Sequence, residues 1–168
     1  MKKLFFFLIV LLFSTQNLKA TEQVYYLDID YVLNNSSKGK DIINYLKQIN
    51  SKNLKELKIY EDELKKLENE IDTVKNILTQ EELNKKINIL KTKFNQYKVE
   101  KDKKTVEFTN LKNDKLNNFL KEITPKIKQY MHTNEISVIL DKKNVLIADN
   151  NFDLTDKIVQ LLNETVNN

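Results

Sequence analysis

The side chains able to do chemistry are few, and their spacing suits little of it. His132 is the only histidine and cysteine is absent. Neither a paired metal motif, a zinc ribbon, a disulfide framework nor a nucleophile–histidine arrangement can be drawn. Beside Met131, His132 reads as an ordinary residue rather than a pH sensor. Asp28, Asp30, Asp149, Asp153 and Asp156 come nearest to an acidic cluster. They lack the glycine-bearing loop spacing of a calcium site and suit turns and helix caps better. Gly39 is the single glycine, whereas a phosphate-cradling loop or dinucleotide fingerprint needs several. No catalysis, cofactor or metal is therefore expected, which leaves structure and interaction.

Composition points the same way. Of 168 residues, 40% are apolar and 31% charged, against roughly 45–50% and 25% in ordinary globular domains. With one Gly and one Pro, this favours long helices over a large core. All 28 basic residues are lysines, mobile point charges without the planar fork of arginine.

Lys2 and Lys3 precede an apolar run over residues 4–13, and Leu18-Lys19-Ala20 follows after a polar stretch. This fits a secretory signal peptide cleaved after Ala20. The run is half the roughly 20 residues a spanning helix requires, so an uncleaved anchor is the weaker reading. Export across the inner membrane to the periplasm follows. Lys2, Lys3 and Lys19 leave with the leader, so 25 lysines face 24 acids in the mature chain. Residues 41–130 hold 20 lysines and 15 acids, and the flanks 5 and 9. A basic middle lies between acidic ends, and nucleic acid is not an expected partner.

Those charges need elements to hold them. Val24 to Ile29 is β-branched, aromatic and nearly continuous in apolarity, as in a strand covered on both faces. Asp30 can cap a short turn over Tyr31, Val32 and Leu33, and Ser36 or Ser37 can cap the helix that follows. Leu57, Tyr60, Leu64, Leu67, Ile71, Val74 and Leu78 then step by threes and fours, the spacing of a coiled-coil seam. The stripe resumes at Leu83, Ile87, Leu90, Phe94 and Tyr97, passes through Lys101 and Lys104, and returns at Phe108 and Leu111.

The step from Leu78 to Leu83 rotates the stripe by roughly 140° off its face, so a continuous helix would lose its seam there. Two helices lose nothing. Thr79-Gln80-Glu81-Glu82 reads as a capping box, which puts a hairpin tip at residues 78–80, with Leu78, Thr79, Glu82 and Leu83 forming it. Antiparallel pairing then sets Leu78 against Leu83, Val74 against Ile87, Ile71 against Leu90, Leu67 against Phe94 and Leu64 against Tyr97, all in one register. Each helix of about 40 residues would reach roughly 60 Å. Towards the base Tyr60 meets Lys101 and Leu57 meets Lys104. This mixed stretch is either a bending point, with Tyr60, Lys101 and Lys104 at the hinge, or a seam covered by lysine methylenes. The aromatic stripe of Tyr60, Phe94, Tyr97 and Phe108 suits packing within the hairpin better than a binding surface.

Pro125 ends or kinks the returning helix, and Lys126 to His132 can continue it for two turns. Ile136 to Leu140 and Val145 to Ala148 read as two strands around the polar turn 141–144. Asp153 or Thr155 caps a closing helix carrying Ile158, Val159, Leu161 and Leu162. The expected organisation is a leader at 1–20, a β-rich body from 21–40 and 125–168, and an arm over 41–124. The fold class is mainly α, with a long antiparallel helical hairpin inserted into a small three-stranded body. Such a body would leave edges and a face bare, so Val24, Tyr26, Leu27, Ile29, Ile136, Val138, Leu140, Val145 and Ile147 are expected to oligomerise.

The segments VYYLDIDYVLNNSSKGK and ISVILDKKNVLIADNNFDLTDKIVQLLN, with the helical insertion between them, resemble the Skp family of periplasmic chaperones, the OmpH-like outer membrane proteins. The terminal segments carry the likeness: Asp28 to Leu33, Ser37 with Gly39-Lys40, Leu140-Asp141, Val145-Leu146, Ala148-Asp149 and Asp153 to Asp156. The middle matches as pattern alone. The resemblance implies a homotrimer with a small β-barrel core, whose arms enclose a cavity and hold unfolded outer membrane proteins without ATP. Client contacts would then fall within arm residues 41–124. Contact with lipopolysaccharide or a membrane surface is also implied, though that basic cluster uses arginine in part and has no direct counterpart here. The other reading is an envelope adaptor that binds one folded partner through the hairpin tip.

Overall fold

The computed structural model describes residues 24–164; the expected leader lies outside them. Strand β1 (Val24–Leu27) runs into Asp28, whose side chain caps α1 (Ile29–Asn35) by accepting from the Tyr31 N–H at 2.9 Å. Asp28, rather than Asp30, is therefore the cap, and Ile29 belongs to the helix. Ser36 then does two things. Its N–H closes α1 on the Val32 carbonyl, and its hydroxyl accepts from the Gly39 N–H at 3.2 Å to start α2 (Ser37–Val74). A 38-residue helix leaves the body in this way, for a length of about 57 Å.

The outgoing helix stops at Val74, earlier than the seam suggested. The N–H groups of Ile77 and Leu78 both donate to the Val74 carbonyl, folding residues 75–78 into a compact turn. Thr79 then opens α3 (Gln80–Thr133) with the expected capping box. Its N–H and hydroxyl donate to Glu82 Oε2 at 2.9 and 2.7 Å, and the Glu82 N–H donates back to Thr79 Oγ1 at 3.4 Å. These bonds hold the Glu82 carboxyl below its usual range.

Pro125 does not end α3, which continues to Thr133. Ile123 is buried and Ile127 packs on the core one turn later, so packing on both sides of the proline outweighs the missing donor. The helix closes in a Schellman turn: Ile136 N–H donates to the Met131 carbonyl at 2.9 Å and Glu135 sits at φ 55°.

Strand β2 (Val138–Asp141) pairs with β1 in parallel, Val24 opposite Val138 and Leu27 opposite Asp141. The whole arm is thus the crossover between two neighbouring parallel strands. Ile136 is buried just ahead of β2. The expected third strand does not form in the chain. The Asp141 carboxylate accepts from the Lys143 N–H and starts a 3-10 turn over Lys142–Asn144. Lys142 lies 3.4 Å from Asp153 and 3.9 Å from Asp28, and Lys143 pairs with Asp30 at 2.8 Å. The chain is pulled onto α1 instead of turning back on β2. Val145 ends that turn, and Leu146 and Ile147 stand 96% and 89% exposed.

A second 3-10 turn (Asn150–Phe152), capped by Asp149, brings Leu154 N–H onto the Tyr26 carbonyl at 3.0 Å. Helix α4 (Thr155–Glu164) follows, with the Asp153 carboxylate accepting from the Thr155 N–H at 2.9 Å. Burial alone would raise the Asp153 carboxyl, but the Thr155 bonds and Lys142 bring it below its usual value. Thr155 Oγ1 accepts from the Asp28 N–H at 3.0 Å, tying α4 to α1. The core unites Leu27, Val32, Phe119, Ile123, Ile136, Leu154, Ile158 and Leu162. Its largest fully buried side chain, Phe119, comes from the base of α3, so the returning arm helix is itself part of the body.

Candidate functional site

The feature that rises from this body is the two-helix arm. Leu64 is buried in its seam, while Leu57, Tyr60, Leu67, Ile71, Val74, Leu78, Leu83, Ile87, Leu90, Tyr97, Phe108 and Leu111 are half-buried. A pair of helices can shield one narrow stripe and no more. Phe94 departs from the expected seam at 53% exposed. Lys93 and Phe94 lie about 100° apart around α3, one to either side of the seam line. Lys93 closes one flank on Glu63 at 2.9 Å, and the Phe94 ring stands out on the other.

Polar contacts run along the hairpin at a nearly constant register. The Tyr97 hydroxyl donates to Glu61 at 2.8 Å, Lys104 pairs with Glu56, Lys115 lies 5.0 Å from the Tyr45 ring centre, and Lys38 meets Glu122 at the root. The mixed stretch is therefore held by charge. Lys104 is nearly covered, with Glu56 and Glu100 on its ammonium. The Glu56 hydrogen bond raises Lys104 above, and holds Glu56 below, its ordinary value. Lys101 is exposed, its ammonium 5.8 Å from the Tyr97 ring centre. Tyr60 is half-buried beside them.

What the arm leaves to solvent is scattered. Leu54, Ile59, Ile77, Ile89, Val99 and Val106 are each between 52% and 81% exposed, at intervals along the two helices and the tip turn. Lys47, Lys65, Lys91, Lys98 and Lys112 are exposed along the same helices. The heptad rule could not have found these apolar residues, because they lie off the repeat.

On the body, Tyr26 and Leu27 are buried, whereas Val24, Val138 and Leu140 are 41–44% exposed. With Leu146 and Ile147 they form an apolar fringe around a two-stranded sheet. His132 is exposed in the last turn of α3. Among the described residues no group of acids and histidine could hold a metal ion, and no helix is long and apolar enough to cross a membrane.

Comparison with known proteins gives two findings. The family model for outer membrane protein (OmpH-like) matches residues 23–162. A crystal structure from Caulobacter crescentus CB15, provisionally described as an OmpH-like outer membrane chaperone, superposes with a TM-score of 0.71 at 23% identity. The match covers 87% of this chain and 86% of that one, and likeness at this identity speaks for the fold. No curated protein sequence matches the chain.

Proposed function

Because the chain belongs to the family of OmpH-like outer membrane proteins, we propose that it is an ATP-independent holdase of the periplasm, reached by export and leader cleavage after Ala20. Its clients are unfolded outer membrane β-barrel proteins. The observation that carries this reading is the arm: a helical hairpin projecting from a small body, studded with isolated apolar side chains between charges. An unfolded chain presents short apolar segments in no fixed order. Many weak, separated contacts can re-form around such a ligand, where a single contiguous patch could not.

Three copies are the proposed working unit. Parallel strands are normally buried on both faces, yet the fringe of Val24, Val138, Leu140, Leu146 and Ile147 is bare in one chain. Pairing these edges between copies supports a closed barrel, with the arms around a shared cavity. The lysine excess of the arm speeds capture of acidic chains and weakens with salt. The mixed seam at Tyr60, Lys101 and Lys104, held by the Lys104–Glu56 pair in place of apolar packing, is the proposed bending point. Hydrogen exchange as slow over residues 50–60 and 101–110 as near the tip would argue against it.

The test is promiscuity. Purified mature protein at stoichiometric amounts should suppress aggregation of several unrelated denatured barrel proteins without nucleotide. Protection of none, with tight binding of one folded protein, would favour the adaptor reading. Light scattering tests assembly separately, and a stable monomer at micromolar concentration would contradict the trimer.

A further inference from the structure

The N-terminus of α2 is capped twice. Ser36 satisfies the Gly39 N–H from the adjoining residue. The Ser37 N–H donates instead to Asn163 Oδ1 at 2.8 Å, and the Ser37 hydroxyl reaches the same oxygen at 3.1 Å, across 126 residues of sequence. A backbone N–H can only donate, which fixes the amide oxygen as the atom facing it. The helix has its local cap already, so this bond is not needed to start it. What Asn163 adds is a fixed distance between the last turn of α4 and the root of the arm. Helix α4 is itself anchored in the core by Ile158 and Leu162.

We propose that Asn163 is a positioning residue: it latches α4 onto the first turn of α2 and so sets the angle at which the arm leaves the body. On the chaperone reading above, on which this part rests, that angle sets the width of the cavity between arms. The lever is long. From Ser37 to Val74 the helix runs about 57 Å, so a loosening of roughly 5° at the root moves the tip by ~5 Å. Lys38 and Glu122 close the root against α3 and the Gly39 elbow closes it against α1, so Asn163 supplies a third tie, to α4.

The absence of cysteine makes the test direct. Cysteines introduced as Lys66→Cys on the arm and Lys157→Cys on α4, both exposed positions, carry spin labels in the mature chain. Labelled protein is diluted with unlabelled chain so that only distances within one chain are read. Asn163→Ala removes the acceptor. Ser37→Pro removes both donors from the other side. It fits the first helical position, and the Ser36 backbone at φ −76°, ψ 149° suits the residue before a proline. Asn163→Asp keeps an acceptor oxygen and serves as the rescue.

Lys66 lies roughly 43 Å along the helix from Ser37, so Asn163→Ala and Ser37→Pro should each shift or broaden the distance distribution by ~4 Å. The double variant should be no looser than either single one, and Asn163→Asp should match the parent. Melting temperatures should fall by no more than ~4 °C, the effect of one exposed hydrogen bond. Unchanged distributions in Asn163→Ala and Ser37→Pro, or an Asn163→Asp as loose as the alanine variant, would overturn the latch. Aggregation assays on the same variants separate the two readings. Parent protein that protects no client removes the cavity role and leaves the latch to stand on distances. Loosened variants that protect as well as the parent overturn the link between angle and cavity.

Discussion

Replacing Gly39 by alanine should destabilise the protein, although alanine is the better helix former. Gly39 is buried at the elbow between α1 and α2, and a Cβ built there falls 1.9 Å from the Leu33 oxygen, 2.6 Å from its carbonyl carbon and 2.8 Å from Ser36 Oγ. Real Cβ contacts do not go below 3.0 Å, so the elbow must open by at least 1.1 Å, the difference between the two. Two of the obstructing atoms are backbone and cannot rotate away. The hydrogen that glycine carries in that direction meets the carbonyl oxygen as a Cα–H···O contact. Alanine gains about 1 kcal/mol over glycine within a helix. Against this stand about 1–3 kcal/mol for overpacking and about 1 kcal/mol for loosening the Ser36 cap. The net loss is about 1–3 kcal/mol, or a fall of ~3–10 °C in melting temperature for a chain of this size. Circular dichroism at 222 nm on parent, Gly39→Ala and the exposed control Lys40→Ala measures it. A Gly39→Ala protein as stable as the parent, or more so, would show that helix propensity governs the position and would refute the close-approach argument.

Phe119→Ala should cost about 3–5 kcal/mol, because the ring is 2% exposed where α3 enters the core; chemical denaturation should show loss of the body transition. Glu135→Gly should stabilise by about 0.5–1 kcal/mol. The residue holds φ 55°, a conformation that costs a side chain about 1–2 kcal/mol, and the greater entropy glycine loses on folding cancels about 0.5–1 kcal/mol of that gain. A lower melting temperature would contradict this. Glu82, Glu56 and Asp153 are held below their ordinary values of 4.5, 4.5 and 3.8. On acidification the unfolded chain binds those protons first. Their stabilisation is present above the ordinary values and lost as pH falls through the lower folded ones. Melting temperature should therefore drop below about pH 4.5, and less steeply in Glu82→Gln, which keeps the capping box without the titration. Equal slopes would exclude Glu82 from the effect.

The arm was legible because its information is local. A phase break at Leu83 and a Thr–Glu pair three residues apart suffice to place the tip, and both appear in the structure within a few residues of where they were expected. Phe94 escaped the pattern because a period gives a mean direction and does not say how far each side chain reaches across the seam. The body was legible only in part. Parallel pairing of Val24 with Val138 joins residues a whole arm apart, and no neighbouring residue announces it. The 145–148 run has strand-forming side chains, but strand formation needs a partner edge, and the turn begun by Asp141 leads away from the one at hand. Pro125 left open whether the helix ends or runs on to His132 for a related reason: what decides it is the packing of Ile123 and Ile127 on a core drawn from distant segments. The Asn163–Ser37 latch carries no sequence signature at all.

The local arm also explains how so small a body closes around so distant a pair of strands. Contacts such as Asp28 with Thr155 lie 127 residues apart, and closing a flexible loop of that length costs entropy before any contact returns it. A hairpin zipped from its tip shortens the loop. Once Thr79 and Glu82 have set the turn and the seam has formed, Lys38 stands against Glu122 and the ends of the arm deliver β1 and β2 to one another. The tip should then be formed in the folding transition state, ahead of the sheet. Thr79→Ala removes a cap worth about 1 kcal/mol. If the tip forms first, nearly all of that should appear in the folding rate, about fivefold slower, with unfolding almost unchanged. Stopped-flow refolding and unfolding of the variant measure both rates. The opposite partition, a folding rate unchanged from the parent and faster unfolding, would mean that the strands meet before the arm and that the hairpin is assembled onto an existing body.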